Sequence, residues 1–183
     1  MTCPSGGASG SSPVATACAA APTSSGASAA DLAGHAFLRG MPDGYVAVLA
    51  GACRVVTVGE GRRFFEEGGT ASKLWLIVSG HVALDVDVPG RSGLILETLG
   101  KGDLLGLSWL VPPYAWQFGA TAVQQTTAFE LDAAAVRAAC EEDPGLGYQL
   151  LRRVMSEASS RLQAARIRML DLYAVSGEAR DGS

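Results

Sequence analysis

The residues best placed to do chemistry lie in one stretch, from Gly100 to Phe118. Gly100, Gly102 and Gly106 precede Leu107, Ser108 and Trp109. A dinucleotide fingerprint needs G-x-G-x-x-G inside a βαβ unit, whereas this spacing is G-x-G-x-x-x-G and no such unit surrounds it. A serine-nucleophile elbow needs a glycine two places after the serine, where Leu110 stands. His35 and His81 are the only histidines, and Cys3, Cys18, Cys53 and Cys140 form no C-x-x-C pair. A Cys/His metal site is therefore not expected, and the cysteines read as scattered reduced thiols. What remains is aromatic: Trp109, Tyr114, Trp116 and Phe118, interleaved with Val111, Pro112 and Pro113. Three readings of these rings stay open. They fill a collapsed pocket, they hold an apolar or aromatic ligand by stacking with Ser108 and Gln117 as polar anchors, or Tyr114 and Trp116 face outward and dock a partner protein.

The elements that must position this loop follow from periodicity. Leu32, Phe37 and Leu38 predict a short amphipathic helix stopped by Gly40. Met41-Pro42-Asp43 predicts the start of a second, with Val46, Val48 and Leu49 on its apolar face. From Cys53 the period becomes two. Strands are expected over 54–58, 63–66, 74–78, 81–88, 94–99 and 126–131, separated by Gly and Pro turns. Val82, Leu84, Val86 and Val88 alternate along one of them. Short strands between such turns imply an antiparallel sandwich or barrel. Asp132 caps a predicted helix over 133–141, and Asp143-Pro144 opens a longer one running to about Tyr173. Along it Leu151, Val154, Ala158, Leu162, Ala165, Met169 and Leu172 form a heptad-like stripe. At about 1.5 Å per residue such a helix outreaches one small barrel, so the stripe is expected to meet a second subunit in a homodimer.

Bulk properties set the frame. Hydrophobic residues make up 48% and charged residues 17% of the 183 residues, with a net charge of −4. Nucleic-acid binders draw affinity from phosphate neutralisation, and this chain has no basic excess. Residues 1–30 are low in complexity, lack Lys and Arg, and read as a disordered tail rather than a secretory signal. No apolar run approaches the length of a membrane span. The expected division is a tail over 1–30, one domain over 31–173 with its β-roll at about 53–131 and C-terminal helices at about 132–173, and a flexible tail over 174–183. The expected location is cytoplasmic.

The order of elements resembles the cyclic nucleotide-binding domain of the Crp/Fnr regulators. FFEEGGTASKLWLIVSGHVAL, with Gly68 and Gly80, is similar to the stretch around the family's early strands. LETLGKGDLLGLSWL, with Gly100, Gly102, Asp103 and Gly106, is similar to the entry of its phosphate-binding cassette. The resemblance covers about residues 33–173. It implies a mainly β fold with flanking helices, a double-stranded β-helix of jelly-roll type, short N-terminal helices and a long C-terminal helix. It also implies a glycine loop leading into a short helix, whose backbone N–H groups and positive end suit a phosphate. The implied ligand-binding residues are Gly102, Gly106, Leu107, Ser108, Trp109, Trp116 and Gln117, with Arg166 from the long helix. Cyclic AMP or cyclic GMP is the implied ligand.

The chain departs from that pattern where charge is needed. The family's ribose-binding Glu is replaced by Leu107, and its phosphate-binding Arg by Trp116 and Gln117. No Lys, Arg or His occurs between Lys101 and Arg137. One lost charge-assisted contact costs about 1.5–3 kcal/mol, and each 1.4 kcal/mol is about tenfold in affinity. Binding in the family's mode is thus expected to be weakened by orders of magnitude. On the long helix, Ala165 and Arg166 stand where relatives place base-contacting hydroxyls; Arg166 either approaches the ligand or joins Arg161 and Arg168 on a solvated face. The residues after the helix, Ala174–Ser183, leave no room for a helix-turn-helix, so direct DNA binding is not expected. The architecture also resembles the cupin enzymes, but two histidines are too few for their metal. Cys3 and Cys18 do not match the cysteine cluster of Fnr-type iron–sulfur sensors. The function implied is a non-enzymatic regulatory or sensory module that dimerises and signals to a partner protein. The alternative is a degenerate domain that binds no nucleotide and serves protein interaction, with a cupin-like enzyme a distant third.

Overall fold

The computed structural model describes residues 25–88 and 91–178. Two antiparallel sheets face each other. One has five strands in the order β1 (Ser25–Gly26), β2 (Cys53–Val58), β9 (Thr126–Asp132), β4 (Lys73–Ser79), β7 (Leu104–Leu105). The other has four, in the order β3 (Arg63–Phe65), β8 (Gly119–Ala122), β5 (Val82–Val88), β6 (Arg91–Leu99). The chain passes between the sheets as it advances, which makes the β-roll that the turn spacing implied. Val56, Trp75, Ile77, Leu105 and Ala128 share the face of the first sheet that meets the second, where Trp75 touches Phe64 and Phe65, while Leu74, Leu76, Leu104, Phe129 and Leu131 share the opposite face, where Phe129 meets His35; all are nearly inaccessible.

Helices flank the roll. Ser28 caps α1 (Ala29–Ala33): its hydroxyl accepts from Asp31 N at 3.1 Å, while Asp31 accepts from Ser28 N at 3.2 Å. A 3-10 turn at Ala36–Leu38 follows, then α2 (Asp43–Gly51). The single helix expected around Leu32–Leu38 is therefore two short pieces, broken at Gly34 and His35. Val46 and Leu49 bury as expected, but Val48 is 48% exposed. Order also begins before Asp31, because Ser25 and Gly26 pair with Val55 and Arg54. Asp132 caps α3 (Ala133–Glu142), accepting from Ala135 N at 2.8 Å. Asp143 accepts from Gly145 N and Leu146 N and so caps α4 (Pro144–Glu178). That helix runs past Tyr173 to Glu178.

The structure differs from the expected strands in three places. Strand β5 buries Val82, Ala83, Leu84 and Asp85 in succession, so its first half lies between layers on both faces, and Val88 is 37% exposed. Strand β7 has two residues, too few for any period to show. Strand β8, Gly-Ala-Thr-Ala, lacks the branched and aromatic residues that mark strands. Its glycine has a cause: a Cβ at Gly119 would collide with the Arg63 guanidinium and the Asp85 carboxylate, which pair at 2.9 Å.

Candidate ligand-binding site

The glycine-rich loop is anchored at both ends by backbone. Gly102 N donates to Ile77 O at 2.8 Å, Ile77 N donates to Asp103 O at 3.0 Å, and Gly100 N donates to the Asp103 carboxylate at 2.7 Å. Buried His35 braces the same point from outside, its Nε2 lying 3.0 Å from Ile77 O and its Nδ1 accepting from Phe37 N. Burial holds the His35 pKa below its ordinary value, so the ring is a neutral structural group. At the far end Trp116 N donates to Gly69 O, Gly68 N donates to Trp116 O, and Ala71 N donates to Tyr114 O.

The cassette does not contain the short helix expected from the resemblance. Between Gly106 and Gly119 the chain forms turns, bends and one isolated bridge, from Ala115 to Thr70. Pro112 and Pro113 explain this. They remove two N–H donors and push the residues before them out of helical geometry. The positive helix end that would have suited a phosphate is therefore missing, in addition to the missing cation.

What stands in its place is an aromatic stack. Trp116 lies on Phe65 with ring centroids 3.9 Å apart and planes 16° apart, and Trp75 packs against both, 5.5 Å from Phe65 and 5.9 Å from Trp116. Trp116 presses so closely on Gly106 that a Cβ there would sit 2.9 Å from its ring carbons. Gly106 also has φ +85°. The cassette glycine and the tryptophan thus form one packed unit.

Above this floor an open cavity of about 650 Å³ separates the roll from α4. The roll contributes Phe65, Leu84, Leu96, Glu97, Gly106, Leu107, Ser108, Trp116, Gln117 and Phe118; the helix contributes Ala158, Arg161, Leu162, Ala165, Arg168 and Met169. Of the implied ligand residues, Gly106, Leu107, Ser108, Trp116 and Gln117 line it. Three do not. Gly102 packs beneath Ala36, 3.3 Å from where its Cβ would be. Trp109 is fully buried, its carbonyl accepting from Arg137 at 2.7 Å and its Nε1 without a partner. Arg137 also lies 4.4 Å from the Tyr114 ring centroid and so clamps the outer side of the loop.

Arg166 is the third exception, and the helix explains it. Leu146, Leu150 and Val154 are buried and fix the face of α4 that meets the roll. At about 100° per residue, Arg161 and Arg168 fall on that face and Arg166 lies about 140° from Arg161. Arg161 and Arg168, expected on the solvated side, are in the cavity; of the two placements open to Arg166, the structure has the solvated one. The same phase divides the heptad stripe. Val154 belongs to the chain's own core. Ala158, Leu162, Ala165 and Met169 border the cavity, and Leu151 is 47% exposed. The side chain of Leu172 is outside the described residues.

A second cavity, of about 460 Å³, opens on the other side of the aromatic stack and shares Phe65 and Trp116 with the first. Its character is polar. Glu130 is nearly buried there and accepts from Arg54 at 2.5 and 2.8 Å, from Lys73 at 2.8 Å and from Trp75 Nε1 at 2.9 Å. Burial alone would raise its pKa, but the bonds from Lys73, Trp75 and Arg54 outweigh this and hold it below the ordinary value. Burial, and then the Glu130 charge, push the neighbouring Cys53 thiol up to about 12. Cys53 and Cys140 are free thiols, and Cys3 and Cys18 lie outside the described residues. Among the described residues no three His, Cys, Asp or Glu side chains gather as a metal site.

Sequence and fold comparisons agree with this geometry. Residues 55–143 match the model of the cyclic nucleotide-binding domain. The chain is 26% identical over 121 residues to a CRP-like cAMP-activated global transcriptional regulator of Mycobacterium tuberculosis, covering 66% of this chain and 54% of the relative, so it spans about half that protein's length. A cyclic nucleotide-binding protein structure from Geobacter metallireducens superposes with a TM-score of 0.64 at 23% identity, over 69% of this chain and 91% of that one. A cyclic nucleotide-binding domain from Methylobacillus flagellatus superposes with a TM-score of 0.65 at 20% identity, over 72% and 74% of the two chains. At these identities the structures share the fold. Element order and sheet topology agree with the family model that residues 55–143 match, that of the cyclic nucleotide-binding domain, and with the sequence likeness to a CRP-like regulator.

Proposed function

We propose that this chain is a non-enzymatic sensory module whose ligand occupies the cavity between the roll and α4, and whose occupancy is passed along α4 to a second copy and a partner protein. The observation that carries this reading is the open cavity of about 650 Å³, bounded on one side by the cassette and on the other by the long helix. Its volume is that of small-molecule pockets, about 300–1,000 Å³, and it is lined as they are, mostly by apolar groups with a few polar ones. A ligand there touches both bodies and so favours one disposition of the helix over another. Leu151 and Met155, each about half exposed, stand one turn apart on the outer side of α4, and the half-exposed Leu162 and Met169 continue the row along the cavity rim, which supports its pairing with a second helix.

The test is thermal unfolding of the full chain with cyclic nucleotides and a panel of small anions. A ligand at 100 times its dissociation constant adds about 2.7 kcal/mol. At least one compound should raise the midpoint, and Ala165→Trp, which fills the cavity, should abolish the rise. No stabilising compound, or an equal rise in the variant, sinks the sensor reading and leaves a protein-interaction domain. For the pairing, Met155→Asp should sediment as a monomer; an unchanged mass counts against the helix interface.

A further inference from the structure

The two ends of the cavity differ in a way that narrows its ligand. The cassette side offers no cation, no helix N-terminus, and Leu107 with Phe118 where polar groups would be needed. The positive groups come from the opposite wall. Arg161 and Arg168 stand one heptad apart on α4, and Ala158 and Ala165 between and beside them leave space at the helix surface. Arg161 is half-buried and donates to Leu104 O, which fixes its position against the roll. Among the described residues Arg168 makes no ion pair. The lining contains one carboxylate, Glu97, so the two guanidinium groups leave one positive charge over. Outside the lining, Glu157 lies within electrostatic reach of Arg161; burial, and then the Asp103 and Glu97 charges, raise the Glu157 pKa, which weakens its claim on that arginine. Leu84, Leu96, Leu107 and Trp116 supply an apolar wall facing these cations.

We propose that the ligand is an amphipathic monoanion, an apolar body carrying one carboxylate, bound with its charge on Arg168 and Arg161 of α4 and its body against Phe65, Trp116 and the leucines of the roll. This is the reverse of a layout that grips the anion with the cassette. A guanidinium pairs with a carboxylate through two parallel bonds, and a largely apolar surround strengthens them. The carboxylate would touch only the helix, so charge recognition and helix position are the same event. The inference rests on the sensor reading above and adds the chemistry of the ligand.

The test is isothermal titration of the full chain with sodium decanoate, 1-decanol and cyclic AMP, below the decanoate micelle threshold. Decanoate should bind, 1-decanol at least about tenfold more weakly, and Arg168→Gln should weaken decanoate by about tenfold with little effect on 1-decanol. Arg166→Gln removes the same charge on the far side of the helix and should leave decanoate binding unchanged. Ala165→Trp should abolish it, with the far-ultraviolet circular dichroism of each variant confirming the fold. Equal affinity for decanoate and 1-decanol, equal loss in the two arginine variants, or decanoate binding that survives Ala165→Trp overturns the proposal. If cyclic AMP binds in an Ala165→Trp-sensitive manner and decanoate does not, the anion assignment falls and the sensor reading stands. If no compound of this set or the wider panel binds, both fall.

Discussion

Replacing Gly106 with alanine tests whether the cassette glycine is required by the backbone alone or also by Trp116. At φ +85° any L residue sits in the left-handed region, which costs about 1–2 kcal/mol. The new methyl would lie 2.9 Å from two ring carbons of Trp116. That ring is held: Phe65 stacks on it at 3.9 Å, and a Cβ built at Gly69 lies 3.4 Å from its Cδ1. Overpacking of this kind adds about 1–3 kcal/mol, for a total of about 2–5 kcal/mol. Gly102→Ala is the control. Its φ is +95°, but its methyl meets only Ala36 at 3.3 Å, so it should cost about 1–2 kcal/mol. Equilibrium urea unfolding measures both, provided the slope with denaturant is unchanged. A double-mutant cycle with Trp116→Leu isolates the clash, since a smaller side chain makes room for the methyl. The coupling should be about 1–3 kcal/mol in favour of the double variant. If Gly106→Ala costs no more than Gly102→Ala, or if it and Trp116→Leu are additive, the packed unit does not exist.

Glu130→Gln should destabilise the protein by about 1–3 kcal/mol at neutral pH, toward the lower end because Arg54 and Lys73 are themselves 49% and 39% exposed. The folded-state pKa of Glu130 is lowered, so its contribution is present above the unfolded value and is lost as pH falls through the folded one. The difference between wild type and variant in urea midpoint should therefore shrink well below the ordinary glutamate range; a constant difference refutes the ion cluster. Cys53, with its thiol pushed up to about 12, should resist iodoacetamide at neutral pH and label only on unfolding, as peptide mapping would show. Labelling at the rate of an unfolded control would contradict its burial.

The clean alternations and Gly-Pro punctuation made most strands legible, and so did the capping aspartates Asp132 and Asp143. Strand β8 was hidden because it lacks branched apolar residues, and its glycine, Gly119, answers to the Arg63–Asp85 pair, a contact between distant segments that no local pattern records. The absent cassette helix was foreshadowed by Pro112-Pro113, but the family likeness pointed the other way. The phase of α4 was the costliest ambiguity. Apolar residues lie on two of its sides, Leu146, Leu150 and Val154 inward and Leu151 and Met155 outward, with Leu162 at the cavity rim between them. A heptad pattern read across both sides put Val154 in the subunit interface and left Arg161 and Arg168 outside the site. The core residues Leu146 and Leu150, one turn apart, held the correct phase.

The Phe65–Trp116 stack is a septum one ring-pair thick between two chambers, one mostly apolar and one charged. Both rings border both chambers, so the two cavities share one wall. A solute entering either chamber changes the surroundings of the same indole. The partition is itself a fluorophore placed where the division is made.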